Sequence, residues 1–554
     1  MSAVPARRGA AMPGLGVVGA LAGRTLGELA IVFQAVLGGG IVLAAAERRS
    51  VLSSANHGAF TAWFAGPLHG LWPSLPRNAD VLHNDFHHAL LAMLGAWLVV
   101  VLLGRGARPA VVIGGVVVLN ALFLLCPPSG LTDLFNYLGY ARLDAVHHLN
   151  PYVGVPLAQR GDPVYAYSNW HQLSSPYGPL FTLLLLPIAH LPLAVEYWSY
   201  KVLATAASLG LLAAVWACAR RLGGAPAPAV AFVGLNPLVL VYALGGKHND
   251  LLMMALVMLG CLLLLVRREG AGGAALAAAV AIKASAGLLA PVIVLGAPRR
   301  PRAIAGLAVA GLALAALSYA AFGPHLPDLR DQSRLVNTWS VPDLVGYAAG
   351  HGGADPAIRR LMAIAMLAGA AVCAAFAWRT RRWATAGAAA GLAGLATVGW
   401  LEPWYILWSL PLAAVSGSRT IRFATVLVTA WLVLVWGGVV PTAARAHGIR
   451  PGRTVVGRAN RRFERSLLRN PPSRSMRDRP RRGRRAPIVP RLHGRAQPPA
   501  RRAASNAADP HRRRRAAGAG RGHQTDGRGA GGRLAADLAR RSDRRVRHGT
   551  ARGG

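Results

Sequence analysis

The sequence predicts an all-α, polytopic membrane protein of about 11–13 transmembrane helices followed by a disordered tail. Three observations carry that prediction. Of 554 residues, 53% are hydrophobic and only 15% charged, and the mean hydropathy is +0.37, a balance that excludes a soluble multi-domain chain. Apolar stretches that reach or approach the roughly 17 to 25 residues needed to cross a hydrocarbon core about 30 Å thick recur through the first 440 positions. From Pro441 the apolar periodicity stops, lysine is absent, and Arg, Gly, Ala and Pro dominate. Such a composition cannot bury enough surface to offset its ordering entropy.

Taken in order, the crossings read as 29–46, 89–103, 109–126, 199–217, 229–245, 251–266, 303–322, 361–377, 384–400, 404–415 and 422–440. The first follows a weak apolar run with no clear cleavage site, so it reads as an uncleaved helix rather than a signal peptide. Two stretches are shorter or longer than a single span. Residues 179–192 are interrupted by Pro187, and 271–297 carry Lys283 at their middle. With Arg7, Arg8 and Arg24 inside, the arginine-bearing loops at Arg105/Arg108, Arg220/Arg221, Arg267/Arg268, Arg299/Arg300/Arg302, Arg379/Arg381/Arg382 and Arg419/Arg422 are all cytoplasmic only on two conditions. The stretch 179–192 must not cross, and 271–297 must enter and return. Broken segments of that kind are tolerated where they line a cavity. The plainer alternative is two poorly delimited helices. The same topology places 13 of the 15 acids before the tail outside, all but Glu28 and Glu269.

The net charge of +40 sits mostly in the tail. Residues 441–554 hold 32 arginines and 6 acids, which leaves 29 of the 61 basic and 15 of the 21 acidic residues before it. Arg, Gly, Ala and Pro are the residues of all-GC codons, so the tail reads either as an out-of-frame translation or as a polybasic segment for anionic lipid. Without aromatic interleaving or a recognition motif it does not read as a nucleic-acid binder. Cys126, Cys218, Cys261 and Cys373 stand singly in apolar stretches, which excludes zinc spacing and argues against a disulfide framework.

Polar chemistry concentrates outside. The segment 127–178 is dense in Asp, Asn, Tyr, Arg and His, and includes Asp133, Tyr137, Arg142, Asn150-Pro151-Tyr152 and Ser175-Pro176-Tyr177-Gly178-Pro179. Asp133 follows a crossing by a few residues, at the membrane–water boundary, where partial desolvation suits a general base acting on a hydroxyl. The plainer reading is a helix cap or a solvated loop acid. His248, Asn249 and Asp250 follow a Gly245-Gly246-Lys247 turn; they bind a sugar, phosphate or divalent ion across a cavity from Asp133, or Asp250 merely caps the next helix. Lys283 at the turn of the broken hairpin either holds a lipid phosphate or snorkels to the interface. Trp404 and Tyr405 either stack on a sugar or belong to an aromatic belt. No phosphate loop or dinucleotide fingerprint is present.

In their order along the chain, Asp133, Tyr137, Arg142, Asn150-Pro151-Tyr152, Ser175 to Pro179, Asn236-Pro237, Gly246 to Asp250, Lys283 and Pro403-Trp404-Tyr405 with Trp408 resemble the actinobacterial polyprenol-phosphate-mannose-dependent α-1,6-mannosyltransferases. These are integral-membrane glycosyltransferases of the GT-C class. The resemblance covers about 29–440, and Lys247 departs from it where a neutral residue is expected. It implies a polyprenyl-phosphate-sugar donor, a lipid-anchored α-1,6-mannan acceptor of the lipomannan and lipoarabinomannan type, membrane lipid around the core, an outward-facing site in the plasma membrane, and inversion at the anomeric carbon. It assigns Asp133 as general base and places the second acidic motif on His248, Asn249 and Asp250; the residues themselves add Tyr137, Arg142, Asn150, Tyr152, Tyr177, Lys283, Trp404 and Tyr405 as further substrate-binding candidates, the lipid phosphate falling to Arg142 and Lys283. Either Asp133 acts alone or it shares Mg²⁺ or Mn²⁺ with Asp250 through oxygen ligands. The competing expectations are a transporter or flippase of lipid-linked sugars and a non-catalytic subunit of an envelope-synthesis complex.

Overall fold

The computed structural model describes residues 13–47, 59–75, 78–129, 133–330 and 332–449. Arg7, Arg8 and the tail from residue 450 lie outside the described residues. Among the described residues there is no β-strand, and α-helices succeed one another throughout. They are α1 (Pro13–Glu47), the single turn α2 (Ala62–Ala65), α3 (Ala79–Leu102), α4 (Pro109–Leu125), α5 (Asp133–Ala145), α6 (Pro179–Leu185), α7 (Leu193–Arg221), α8 (Pro226–Gly234), α9 (Asp250–Leu265), α10 (Glu269–Ile282), α11 (Ala290–Leu295), α12 (Arg300–Phe322), α13 (Val341–Ala348), α14 (Pro356–Thr380), α15 (Trp383–Thr397), α16 (Leu410–Val415), α17 (Arg419–Trp436) and α18 (Val439–Ala446). The expected boundary at 440 falls inside α18, so helix continues past it to Ala446.

Among the described residues, six helices are long and apolar enough to cross a membrane: Leu21–Glu47 of α1, and α3, α7, α12, α14 and α17. The chain is therefore a membrane protein by length and composition. Pro109, Pro179, Pro226 and Pro356 open their helices, where a missing N–H is harmless. Asn78 and Asp355 cap α3 and α14 by accepting from the N–H groups of Asp80 (2.9 Å) and Ile358 (2.8 Å). Only 11% of the spanning window of α12 and 6% of that of α14 is buried, against 56% for α7. Hence α12 and α14 form an outer wall, with Leu312 and Leu367 turned outward as lipid-facing residues. Where α10 meets α12, Gly273 lies against Ala303 and Gly306 against Gly270, and no side chain fits between the backbones.

The stretch 271–297 enters and returns. α9 and α10 run antiparallel, and Lys283, just past the end of α10, bonds Asp250 at the start of α9. From there a 3₁₀ turn (Ala284–Leu288) and α11 descend along α15, with Leu288, Ile293 and Gly296 meeting Gly394, Gly387 and Trp383 in turn. The Arg300 guanidinium then closes the basic end on the Leu295 carbonyl at 2.6 Å. Likewise α6 is too short to cross: its start hydrogen-bonds through Gly178 N–H to Ile282 O (3.0 Å), and the chain turns straight into α7.

Other segments that read as single crossings are also broken. The stretch 229–245 is α8, an Asn236-Pro237 break and a π-helical turn (Val239–Leu244); 404–415 is a 3₁₀ turn (Pro403–Trp408) and α16. Asn236 mends its break by accepting from Leu238 N–H (3.0 Å) and donating to Thr429 Oγ1 (3.3 Å). The segment 127–178, expected as an outer loop, contains α5, most of whose residues are buried. Its Leu134, Phe135, Leu138 and Ala141 face enters the core, with Phe135 stacked on Tyr167 and Tyr197. Its opposite face carries Asp133, Asn136, Tyr137 and Tyr140, spaced at helical intervals.

Candidate active site

Three of these features converge: the first turns of α5, the Gly245-Gly246-Lys247 turn before α9, and the 3₁₀ turn Pro403–Trp408. Lys247 has a left-handed φ of 57°, and at Gly246 a Cβ would lie 2.6 Å from His248 Nε2, so only glycine lets the imidazole fold back there. That brings His248 Nδ1 to 3.2 Å from Asp133 Oδ2 and 3.4 Å from the Tyr137 hydroxyl. The Tyr137 hydroxyl in turn sits 3.5 Å from Asn249 Oδ1. Asn136 Nδ2 donates to Asp133 Oδ1 (3.3 Å) and to Asn169 Oδ1 (2.8 Å), which holds the carboxylate from its other side. The His248 ring stacks on Trp404, with centroids 3.5 Å apart and planes 10° apart. Tyr177 packs edge-on to Tyr137 at 4.7 Å.

Asp133 keeps 15% of its side chain exposed while His248 keeps 2%, so the carboxylate is the accessible member of the pair. Burial, followed by neighbouring tyrosines and Asp133, raises the Tyr137 phenol well above its usual value; Tyr177 is raised likewise. Both remain neutral hydrogen-bonding groups.

Beside this pair lies a second acid. Asp250, fully buried, accepts from Lys283 Nζ (2.6 Å) on one oxygen and from Trp408 Nε1 (2.9 Å) on the other. It does not cap its own helix; it fixes Lys283, whose ammonium also stands 5.1 Å from the Tyr405 ring centroid. Tyr405 stacks on Trp408 at 4.3 Å, and Trp404 is buried to 3% exposure, so neither is an interfacial belt residue. Each Asp250 oxygen is engaged by one protein hydrogen bond, and among the described residues no group of three His, Cys, Asp or Glu side chains is placed to hold a metal ion.

Three expected residues are not at the cluster. Arg142 is committed elsewhere: its Nε donates to both Asp162 oxygens (3.0 Å each) and its Nη1 to Ala189 O (2.9 Å) and Glu196 (3.3 Å). His147 adds a 2.6 Å contact to Asp162. This network ties the end of α5 to the start of α7 and commits Nε and Nη1 of the guanidinium to protein partners. Asn150 donates to Phe322 O (2.6 Å) and accepts from Tyr152 N–H (3.0 Å); Tyr152 bonds Thr182 (3.0 Å). Both anchor the loop onto α6 and α12.

Conversely, the structure brings in Asn136, Asn169, Trp408, Glu402 and Asn337. Asn337 docks the loop before α13 onto 399–402, with its N–H on Gly399 O (2.8 Å) and its Nδ2 on Leu401 O (2.7 Å) and Glu402 Oε1 (3.0 Å). Of these, Trp408 and Glu402 carried a signal through their place beside Trp404, and Asn136 through its place three residues after Asp133. Asn169 and Asn337 lie 33 and 65 residues from their partners Asn136 and Glu402 and left none.

Residues 36–299 match the family model for the N-terminal domain of α-(1→6)-mannopyranosyltransferases. That segment is similar to this family's N-terminal domain. It holds Asp133, His248, Asn249, Asp250 and Lys283, and the Pro403–Trp408 turn lies beyond it. The chain is similar to α-(1→6)-mannopyranosyltransferase A of Mycobacterium tuberculosis, at 29% identity over 31% of this chain and 34% of that protein. It is similar to the enzyme of the same name in Corynebacterium glutamicum, at 26% over 31% and 36%. A probable α-(1→6)-mannopyranosyltransferase of Mycolicibacterium smegmatis is 34% identical over 25% of this chain and 26% of its own length. The matches thus span a quarter to just over a third of these relatives. No solved structure matches.

Proposed function

We propose that this protein is a membrane-embedded α-1,6-mannosyltransferase that moves a mannosyl residue from a polyprenyl-phosphate-mannose donor to a lipid-anchored mannan acceptor on the outer face of the plasma membrane. The observation that carries it is the Asp133–His248 pair, a partly exposed carboxylate held on both sides beside an ammonium-bearing turn, within the segment that matches the mannosyltransferase family.

In the reaction, Asp133 accepts the proton of an acceptor hydroxyl as that oxygen attacks the anomeric carbon. A bond forms from the acceptor oxygen to C1, the C1–O bond to the phosphate breaks, and the phosphate leaves with the electron pair. Attack and departure on opposite faces invert the configuration. A phosphate leaving group needs no general acid, which agrees with a site that spends its one exposed acid as a base. Lys283 supplies the positive charge beside that departure; its tether to Asp250 sets its position before donor arrives, so little reorganisation is required. His248 orients Asp133, and Trp404 holds the imidazole plane.

The reading is tested with membranes carrying the protein, labelled polyprenol-phosphate-mannose and a short α-1,6-mannoside. Label in a lengthened α-1,6 product supports it. Label that crosses the bilayer still attached to the polyprenyl phosphate, with no transfer, contradicts it and indicates a flippase.

A further inference from the structure

Three buried polar atoms around the His248–Trp404 stack have no protein hydrogen-bond partner: Glu402 Oε2, Trp404 Nε1 and Asn249 Nδ2. Such atoms are rare in folded proteins, because burying an unpaired donor or acceptor loses its water without replacement. Here they gather along two short segments in direct contact. Asn249 follows His248, His248 stacks on Trp404, and Glu402 lies two residues before Trp404. Two are N–H donors and the third is a carboxyl, the complement that vicinal hydroxyls of a sugar ring satisfy.

Glu402 is held for such a role. Asn337 fixes its Oε1 at 3.0 Å, and the residue is 2% exposed. Burial pushes its acid up to about 8, and the nearby Asp133 adds to that while Lys283 opposes it. The other titratable groups coupled to it are Tyr242 and Tyr405, both neutral here. At neutral pH Glu402 is therefore an uncharged carboxyl, able to donate as well as accept.

We propose that Glu402, with the Asn249 amide and the Trp404 indole N–H, forms a hydroxyl-binding subsite for the acceptor glycoside. This rests on the mannosyltransferase reading. The acceptor rather than the donor is the occupant because Trp404 adjoins the His248 that holds the base, whereas the phosphate-binding cation Lys283 belongs to the Asp250–Trp408 side. Sugar hydroxyls bound there would satisfy atoms that are otherwise unpaired.

The test is acceptor and donor KM for the full chain in lipid nanodiscs, with polyprenol-phosphate-mannose and α-1,6-mannobiose, comparing wild type, Glu402→Gln and Glu402→Ala. Glu402→Ala raises acceptor KM about tenfold near neutral pH and leaves donor KM unchanged. Glu402→Gln, uncharged and still a donor, stays within about threefold of wild type. Wild-type acceptor KM climbs above about pH 8, as the carboxyl ionises, and that climb is missing from Glu402→Gln. Unchanged acceptor KM in Glu402→Ala overturns the proposal, as does Glu402→Gln losing as much as Glu402→Ala. If wild type transfers nothing, the mannosyltransferase reading fails by itself. Tryptophan fluorescence then decides the subsite: saturable quenching by mannobiose that Glu402→Ala abolishes supports it, and no quenching in wild type refutes it.

Discussion

Replacing Trp408 by Phe isolates one hydrogen bond at the centre of the site. The phenyl ring keeps the stack on Tyr405 and the packing of the 3₁₀ turn, and removes only the N–H that donates to Asp250 Oδ1 at 2.9 Å. Asp250 is fully buried, so no water takes the vacated position. A hydrogen bond to a charged group contributes roughly 1.5–3 kcal/mol, and with no replacement the upper part of that range applies, about 2.5 kcal/mol. Lys283 still holds the other oxygen, so the charge itself stays paired and the loss remains below the 3–5 kcal/mol of a broken buried ion pair, on the order of magnitude. The assay is reversible unfolding in mixed micelles for wild type, Trp408→Phe, Asp250→Asn and the double variant. The cycle should return a coupling of about 1.5 kcal/mol or more between the two side chains. A Trp408→Phe cost below about 0.5 kcal/mol, the level of an unremarkable surface change, would refute the argument that Trp408 positions Asp250.

Further outcomes follow from the same reasoning. Arg142→Met leaves Asp162 and Glu196 buried without their cation and costs about 3–5 kcal/mol, measured by the same unfolding; a variant that folds normally and instead raises donor KM would return Arg142 to the phosphate. Lys247 is pushed down by burial from its usual 10.5 to about 8. Between those pH values the unfolded chain binds more protons than the folded one, so wild-type stability rises with pH across that window. Lys247→Met abolishes that rise and is more stable than wild type near neutral pH by about 2 kcal/mol, read from unfolding midpoints at several pH values; equal slopes for the two proteins would disprove it.

The membrane character was legible because hydropathy acts over long windows, as α12 and α14 illustrate with windows left almost wholly exposed. Loop arginines also sufficed to turn the chain back at Lys283, since charge asymmetry constrains topology without knowledge of packing. The α5 helix was not legible: both its faces are buried, one against aromatic rings and the other against polar partners, so its sequence lacks a single apolar stripe. Side-chain destinations were the second loss. Asp133, His248 and Lys283 could be named as polar groups at membrane depth, but nothing in the residue types distinguished Lys283, which adjoins the site, from Arg142, which an acid 20 residues away claims. Trp408 shows the same limit, since its bond to Asp250 spans 158 residues. Trp404 was read as a belt residue or a sugar platform; its burial against His248 reflects a local 3₁₀ turn that breaks the expected crossing.

The central claim is that Asp133 removes the acceptor proton. Its most direct test is the rate of mannose transfer by wild type and Asp133→Asn at matched folded amounts. The amide keeps the shape and the Asn136 contact and loses only the ability to accept a proton, so transfer should fall by about 10²- to 10⁴-fold while acceptor KM and unfolding stay close to wild type. Transfer by Asp133→Asn within about threefold of wild type would contradict the account and remove Asp133 from the chemistry.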